Sequence, residues 1–193
     1  RPLAAPSANR SGRISPTTAQ HVAEEFSGED LLILDAGACE AGLESTIVKI
    51  DGNRLYLLRP GVITAEEIAE VADRPVELPP ADGKIQAPGM MKSHYAPDAQ
   101  VMLDCEACPD GAAWLGFGNR TKPENAAAGL NLSETSNLVE AAANLYAYLK
   151  QLDESGASLI CVSPVPQEEL GIAINDRLRR AAAPRASKSG EAV

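Results

Sequence analysis

Hydroxyls, amides and cations gather at four places in this chain, and each could handle a phosphate or a carboxylate. The first is Pro6-Ser7-Ala8-Asn9-Arg10-Ser11-Gly12, followed by Ser15-Pro16-Thr17-Thr18. Ser7 and Asn9 offer a hydroxyl and an amide that can meet phosphate oxygens. Gly12 lets backbone approach closely, and the stretch opens a helix, where anions bind. Turn chemistry accounts for the same residues equally well, and Ser15 with Pro16 also reads as an N-cap followed by proline. The second is Gly42-Leu43-Glu44-Ser45-Thr46-Ile47-Val48, where Ser45 and Thr46 stand at a strand entrance and Glu44 reads as a solvated loop carboxylate. The third is Leu58-Arg59-Pro60-Gly61. An arginine there can fork onto a phosphate or form a surface ion pair. The fourth is residues 87–97, with Met90, Met91, Lys92, Ser93, His94 and Tyr95 among prolines. That content suits a lid better than a spacer. His94 is either a general base or a hydrogen-bonded linker histidine.

The elements that position these residues fall into three stretches. Residues 1–72 read as α/β: a helix from Ser15 to about Phe26, a buried strand at Leu31-Leu32-Ile33-Leu34, a hairpin turning on Asp51-Gly52-Asn53, and a capping box at Thr64-Ala65-Glu66-Glu67. Residues 73–100 carry Pro75, Pro79, Pro80, Pro88 and Pro97 and read as a linker or lid, with no regular helix or central strand. Residues 101–183 read as a second, small α/β unit. It has strands at 113–117 and 159–162, a helix over 137–153 stopped by Gly156, and a last helix over 168–182. Strand–helix–strand–helix order predicts parallel pairing in a Rossmann-like sheet. Residues 184–193 read as a disordered tail.

Composition bounds the function. The 193 residues are 45% hydrophobic and 23% charged, an ordinary globular balance. Seventeen basic against 27 acidic residues give a net charge of −10, which argues against broad nucleic-acid coating. No apolar run is long enough to cross a bilayer, and no secretory h-region opens the sequence, so the expected location is cytoplasmic. Cys105-x-x-Cys108 lacks a second pair and a neighbouring histidine, so Cys39, Cys105, Cys108 and Cys161 read as reduced thiols and no metal site is expected. There is no GxxxxGK[ST], so a nucleotide site here is not a P-loop.

Four segments in order, Pro6-Ser7-Ala8-Asn9-x-Ser11-Gly12, Glu44-Ser45-Thr46-Ile47-Val48, Leu58-Arg59-Pro60-Gly61 and Ser93-His94-Tyr95-Ala96-Pro97, resemble the long form of L-threonylcarbamoyladenylate synthases. So does the closing Gly171-Ile172-Ala173-Ile174-Asn175-Asp176-Arg177-Leu178. The resemblance covers about residues 2–182. It implies the last part of a YrdC-like twisted α/β domain, a proline-rich linker and a C-terminal domain. It implies condensation of L-threonine, bicarbonate and ATP to threonylcarbamoyl-AMP and pyrophosphate, with magnesium accompanying the ATP. A partner complex would then transfer the group to tRNA. By position in the motifs, Ser7, Ser15, Arg59 and Tyr95 would bind ATP, Ala5 and Ser45 would bind threonine, and Asn9, Thr46 and His94 would support them. The family's Lys/Arg-rich catalytic half is absent from these 193 residues, so this chain alone is expected to have little activity, and its catalytic residue is not assigned. Two other readings stay open: a non-catalytic regulatory or assembly module, and a YrdC-like RNA-binding protein, which the acidic charge disfavours.

Overall fold

In the computed structural model, residues 7–80 and 95–184 are described. Ala5, His94 and the tail 185–193 lie outside them. Two sheets of different character carry the chain. The first is three-stranded, in the order β1-β2-β3 (β1 Ile47–Asp51, β2 Arg54–Arg59, β3 Val76–Glu77). β1 and β2 form the expected antiparallel hairpin, and Gly52 sits at φ 57°, where a tight turn needs a residue without a Cβ. β3 pairs parallel with β2 over only two residues and lies at the sheet edge, just after Pro75. Between β2 and β3 runs α2 (Ala65–Ala72), opened by the full capping box of Thr64 and Glu67.

The second sheet has four strands in the order β4-β7-β5-β6, all pairings parallel. These are β4 Gln100–Met102, β5 Ala113–Gly116, β6 Ala128–Asn131 and β7 Leu159–Val162. α3 (Leu138–Asp153) links β6 to β7, and α4 (Leu170–Ala182) follows β7. β5 is buried at every position, as expected of a parallel strand covered on both faces. Ala141, Ala142, Leu145, Tyr146, Leu149 and Leu152 form the buried stripe of α3, and Asn137 caps its N-terminus through two backbone N–H groups.

Two sequence expectations fail. The first helix runs over α1 (Ala19–Glu25), and its N-cap is Thr18, whose hydroxyl accepts the His21 N–H at 3.2 Å. Ser15 turns its hydroxyl away to a carboxylate, so Pro16 precedes the helix. Leu31-Leu32-Ile33-Leu34 is not a strand. It pairs with no described strand, and Leu32 and Leu34 are 85% and 86% exposed. An apolar run becomes a strand only where a neighbour takes its backbone hydrogen bonds.

One core spans the second sheet and reaches back to the first stretch. Leu43 and Tyr95 belong to the same buried cluster as Leu115, Leu145, Ile160 and Ile174, and Ile14 packs on its edge. Gly42, at φ 65°, makes that contact possible. A Cβ there would lie 2.3 Å from the Ala142 carbonyl oxygen on α3. No described helix is long and apolar enough to cross a membrane.

Candidate active-site wall

The loop 7–13 is held by its own polar groups. The Ser7 hydroxyl donates to Asn9 Oδ1 at 2.5 Å, and Asn9 Nδ2 donates to the Arg10 and Arg13 carbonyls. Asn9 thus shapes the loop, while Ser7 is exposed at its rim. The loop's far end is tied to the segment after residue 94: the Ala96 N–H donates to the Gly12 carbonyl at 3.1 Å. Arg13 and Asp98 add an exposed ion pair at 2.8 Å, of small weight in water.

The strand entrance is organised by Arg59. This arginine ends β2 and is buried. Its Nε and Nη2 both donate to the Ser45 carbonyl, at 3.1 and 2.9 Å, and Nη2 reaches the Ser45 hydroxyl at 3.4 Å. The Arg59 charge also acts on the Tyr95 phenol, opposing the rise that burial and Glu44 cause. Thr46 donates its hydroxyl to the Ile63 carbonyl at 2.6 Å, which pins the turn after β2 to β1. Gly61 allows the approach, since a Cβ there would lie 2.4 Å from the Thr46 nitrogen. Ser45 itself stays exposed.

Behind this surface lies a polar group that sequence reasoning misread. Glu44 is not a solvated loop carboxylate. Its Oε1 accepts the Ser15 hydroxyl at 2.7 Å, its Oε2 accepts Arg177 Nε at 2.8 Å, and the Tyr146 hydroxyl reaches both oxygens at 3.1 and 2.9 Å. Burial alone would raise its pKa. The Arg177 charge and the hydrogen bonds from Ser15 and Arg177 outweigh burial and hold it below the usual carboxylate value. Burial, and then the negative Glu44, push both phenols upward, Tyr146 the further, so both stay protonated. Arg177 was legible in one respect: it stands three residues after Ile174, on the buried stripe of α4, where an arginine is out of place without a partner. Tyr146 follows Ala142 and Leu145 on the buried face of α3 and looked like core.

The structure therefore brings Ser15, Ser45, Thr46, Arg59 and Tyr95 into one connected arrangement, with Ser7 and Asn9 on the loop beside it. A cavity of about 70 Å³ next to Ser15 is far smaller than a nucleotide needs. A larger groove near Thr64 is lined by Glu66, Glu67, Glu168 and Glu169, the wrong charge for a triphosphate. The residues singled out thus form a wall and not an enclosed pocket. No group of three or more His, Cys, Asp or Glu among the described residues could hold a metal ion. Cys105, Cys108 and Cys161 lie together in an apolar cluster as free thiols, and burial pushes Cys161 up to about 12, an inert range.

Comparison with known proteins identifies a family. A family profile described as "Threonylcarbamoyl-AMP synthase, C-terminal domain" matches residues 63–183, and one described as "Telomere recombination" matches residues 1–61. The threonylcarbamoyl-AMP synthase of Pyrococcus abyssi is 36% identical over 202 residues, covering 94% of this chain and 58% of that protein. The Bacillus subtilis synthase is 35% identical over 199 residues, with 94% and 57% covered. A crystal structure of P. abyssi Sua5 complexed with L-threonine superposes with a TM-score of 0.76 at 32% identity, covering 94% of this chain and 58% of that one. The chain thus spans less than two thirds of the length of these relatives. The family profile, the two relatives and the α/β fold with its mixed sheets agree, and the chain belongs to the threonylcarbamoyl-AMP synthase family.

Proposed function

We propose that this chain forms one wall of an ATP-dependent synthase that condenses L-threonine, bicarbonate and ATP into threonylcarbamoyl-AMP, releasing pyrophosphate. The observation that carries the reading is the junction at Arg59, where one buried guanidinium holds the Ser45 carbonyl through two donors at the strand entrance. Support comes from the P. abyssi Sua5 structure, which holds L-threonine. On this reading Ser45 receives the amino acid, with Ala5 contributing from outside the described residues. Ser7, Ser15, Arg59 and Tyr95 face the nucleotide, while Asn9, Thr46 and His94 support them. The linker residues 73–100 join the unit over 1–72 to the Rossmann-like unit over 101–183.

The chemistry asks for no nucleophilic side chain. Condensation of the threonine amine with bicarbonate forms a C–N bond with loss of water to give a carbamate, and a carbamate oxygen attacks the α-phosphorus of ATP with pyrophosphate as leaving group. Hydroxyls of Ser7 and Ser15 and the charge of Arg59 can meet the oxygens on which negative charge grows. Tyr95, neutral and buried, can shield a carbamate and a mixed anhydride from water. Magnesium would arrive with the triphosphate, since the described residues offer no cage for it. The product would pass to a transfer complex acting on tRNA in the cytoplasm.

The test is pyrophosphate release by the polypeptide that carries this sequence together with the family's basic catalytic half, given threonine, bicarbonate and ATP. Release that needs all three substrates, and that Arg59→Ala reduces, is expected. Release independent of threonine, or none, overturns the reading.

A further inference from the structure

We propose that Arg177 and Tyr146, on the two helices of the second unit, are positioning residues for the candidate threonine and nucleotide segments and act on them through Glu44. This rests on the function proposed above and assigns a task to helices that carry no other candidate site residue.

Arg177 has no exposed side-chain surface. Its donors go to separate places. Nε holds Glu44, Nη2 holds the Pro60 carbonyl at 2.9 Å, and Nη1 holds Asp176 at 2.7 Å on its own helix. Its Cζ also lies 5.4 Å from the centre of the Tyr95 ring, which packs 5.5 Å from the Tyr146 ring. Glu44 precedes Ser45, and Pro60 follows Arg59. One guanidinium thereby fixes the three segments that carry Ser45, Arg59 and Tyr95. Glu44 adds the fourth, since it receives the hydroxyl of Ser15.

A purely structural task explains this arrangement poorly. A buried ion pair adds little net stability over apolar side chains of the same volume, because desolvation offsets the attraction. What it does impose is direction: charge-assisted and hydroxyl hydrogen bonds meet at fixed angles. Tyr95 shows the need. It holds a left-handed backbone at φ 60°, costly for a bulky side chain, with the Arg177 guanidinium and the Tyr146 ring packed near its own ring.

The experiment uses the full-length polypeptide bearing this sequence, with three variants. Arg177→Lys keeps the charge and loses the fork. The double variant Glu44→Met with Arg177→Met removes the pair without leaving a buried lone charge, which guards against simple unfolding. Arg120→Ala, in an exposed pair with Glu106 away from the site, is the control. Amide hydrogen exchange needs no substrate and is read first. Exchange at residues 43–46, 59–61 and 95–97 should rise about tenfold or more in both pair variants, with Ala113–Gly116 of β5 unchanged. Kinetics are read second. KM for threonine and for ATP should rise together, with Arg177→Lys intermediate between wild type and the double variant and Arg120→Ala unchanged. Wild-type exchange in the three segments overturns the proposal. So does loosened exchange with both KM values unaltered. A wild-type protein that releases no pyrophosphate overturns the function instead, and exchange then decides the positioning claim alone.

Discussion

The two sheets of this molecule solve the same problem differently. The parallel sheet buries β5 at every position and roofs it with α3 and α4, whose apolar stripes face inward. The hairpin sheet leaves Val48 and Ile50 of β1 exposed, and neither α1 nor α2 has a buried residue. The hairpin sheet and its flanking helices are therefore held less by a core of their own than by what their loops touch around the parallel sheet. Those contacts are Leu43 in the shared cluster, Gly42 against α3, and Glu44 on Arg177. The Ser45 and Arg59 segments, proposed to face substrate, flank the looser sheet, while Tyr146 and Arg177, proposed to fix their direction, sit on the helices over the tighter one.

The sharpest way to break this contrast is to strip one partner from the buried junction. Glu44→Ala leaves Arg177 charged, buried and without its main counter-charge, at an expected cost of about 3–5 kcal/mol in chemical denaturation. A loss under about 1 kcal/mol would show that the two units are not joined there. Next is a paired truncation. Leu145→Ala in the closed core should cost about 2–5 kcal/mol, whereas Leu32→Ala in the open region should stay within about 0.5 kcal/mol. Equal losses would erase the difference between the closed core and the open region. A smaller effect is expected at the α2 cap, where Thr64→Ala should cost about 1 kcal/mol and speed exchange in α2 without disturbing α3.

Acid gives the finest test. The Glu44 carboxyl titrates below its ordinary 4.5 in the folded protein, so its contribution is complete above that pH and fades as pH falls through the folded value. The stability gap between wild type and Glu44→Gln should hold from neutral pH down to about 4.5 and shrink below it. A gap that grows on acidification would mean that the carboxylate is not stabilised by Arg177.

Local chemistry made much of this legible. The Asp51-Gly52-Asn53 hairpin and the Thr64–Glu67 capping box were written in adjacent residues, and the structure forms both. The apolar periodicity of α3 and the β5 and β7 runs were equally plain. β4 and β6 were missed because Gln100-Val101-Met102 is only three residues long and Ala128-Gly129-Leu130-Asn131 has no β-branched residue, so their neighbours decide them. Leu31-Leu32-Ile33-Leu34 failed for the opposite reason, a strong local signal with no described partner strand. The candidate site divides the same way. Ser45, Arg59 and Tyr95 came from motifs. Glu44 looked solvated because its partners Tyr146 and Arg177 lie 102 and 133 positions away.

That separation of 133 positions also sets a schedule. During synthesis the segments bearing Ser15, Ser45, Arg59 and Tyr95 leave the ribosome long before α4, the last of the described elements. Glu44 must wait for Arg177, so these segments take their final directions only when α4 docks. Emergence of that helix and competence of this wall become a single event, and a nascent chain that stalls before α4 would hold the right residues without their working arrangement.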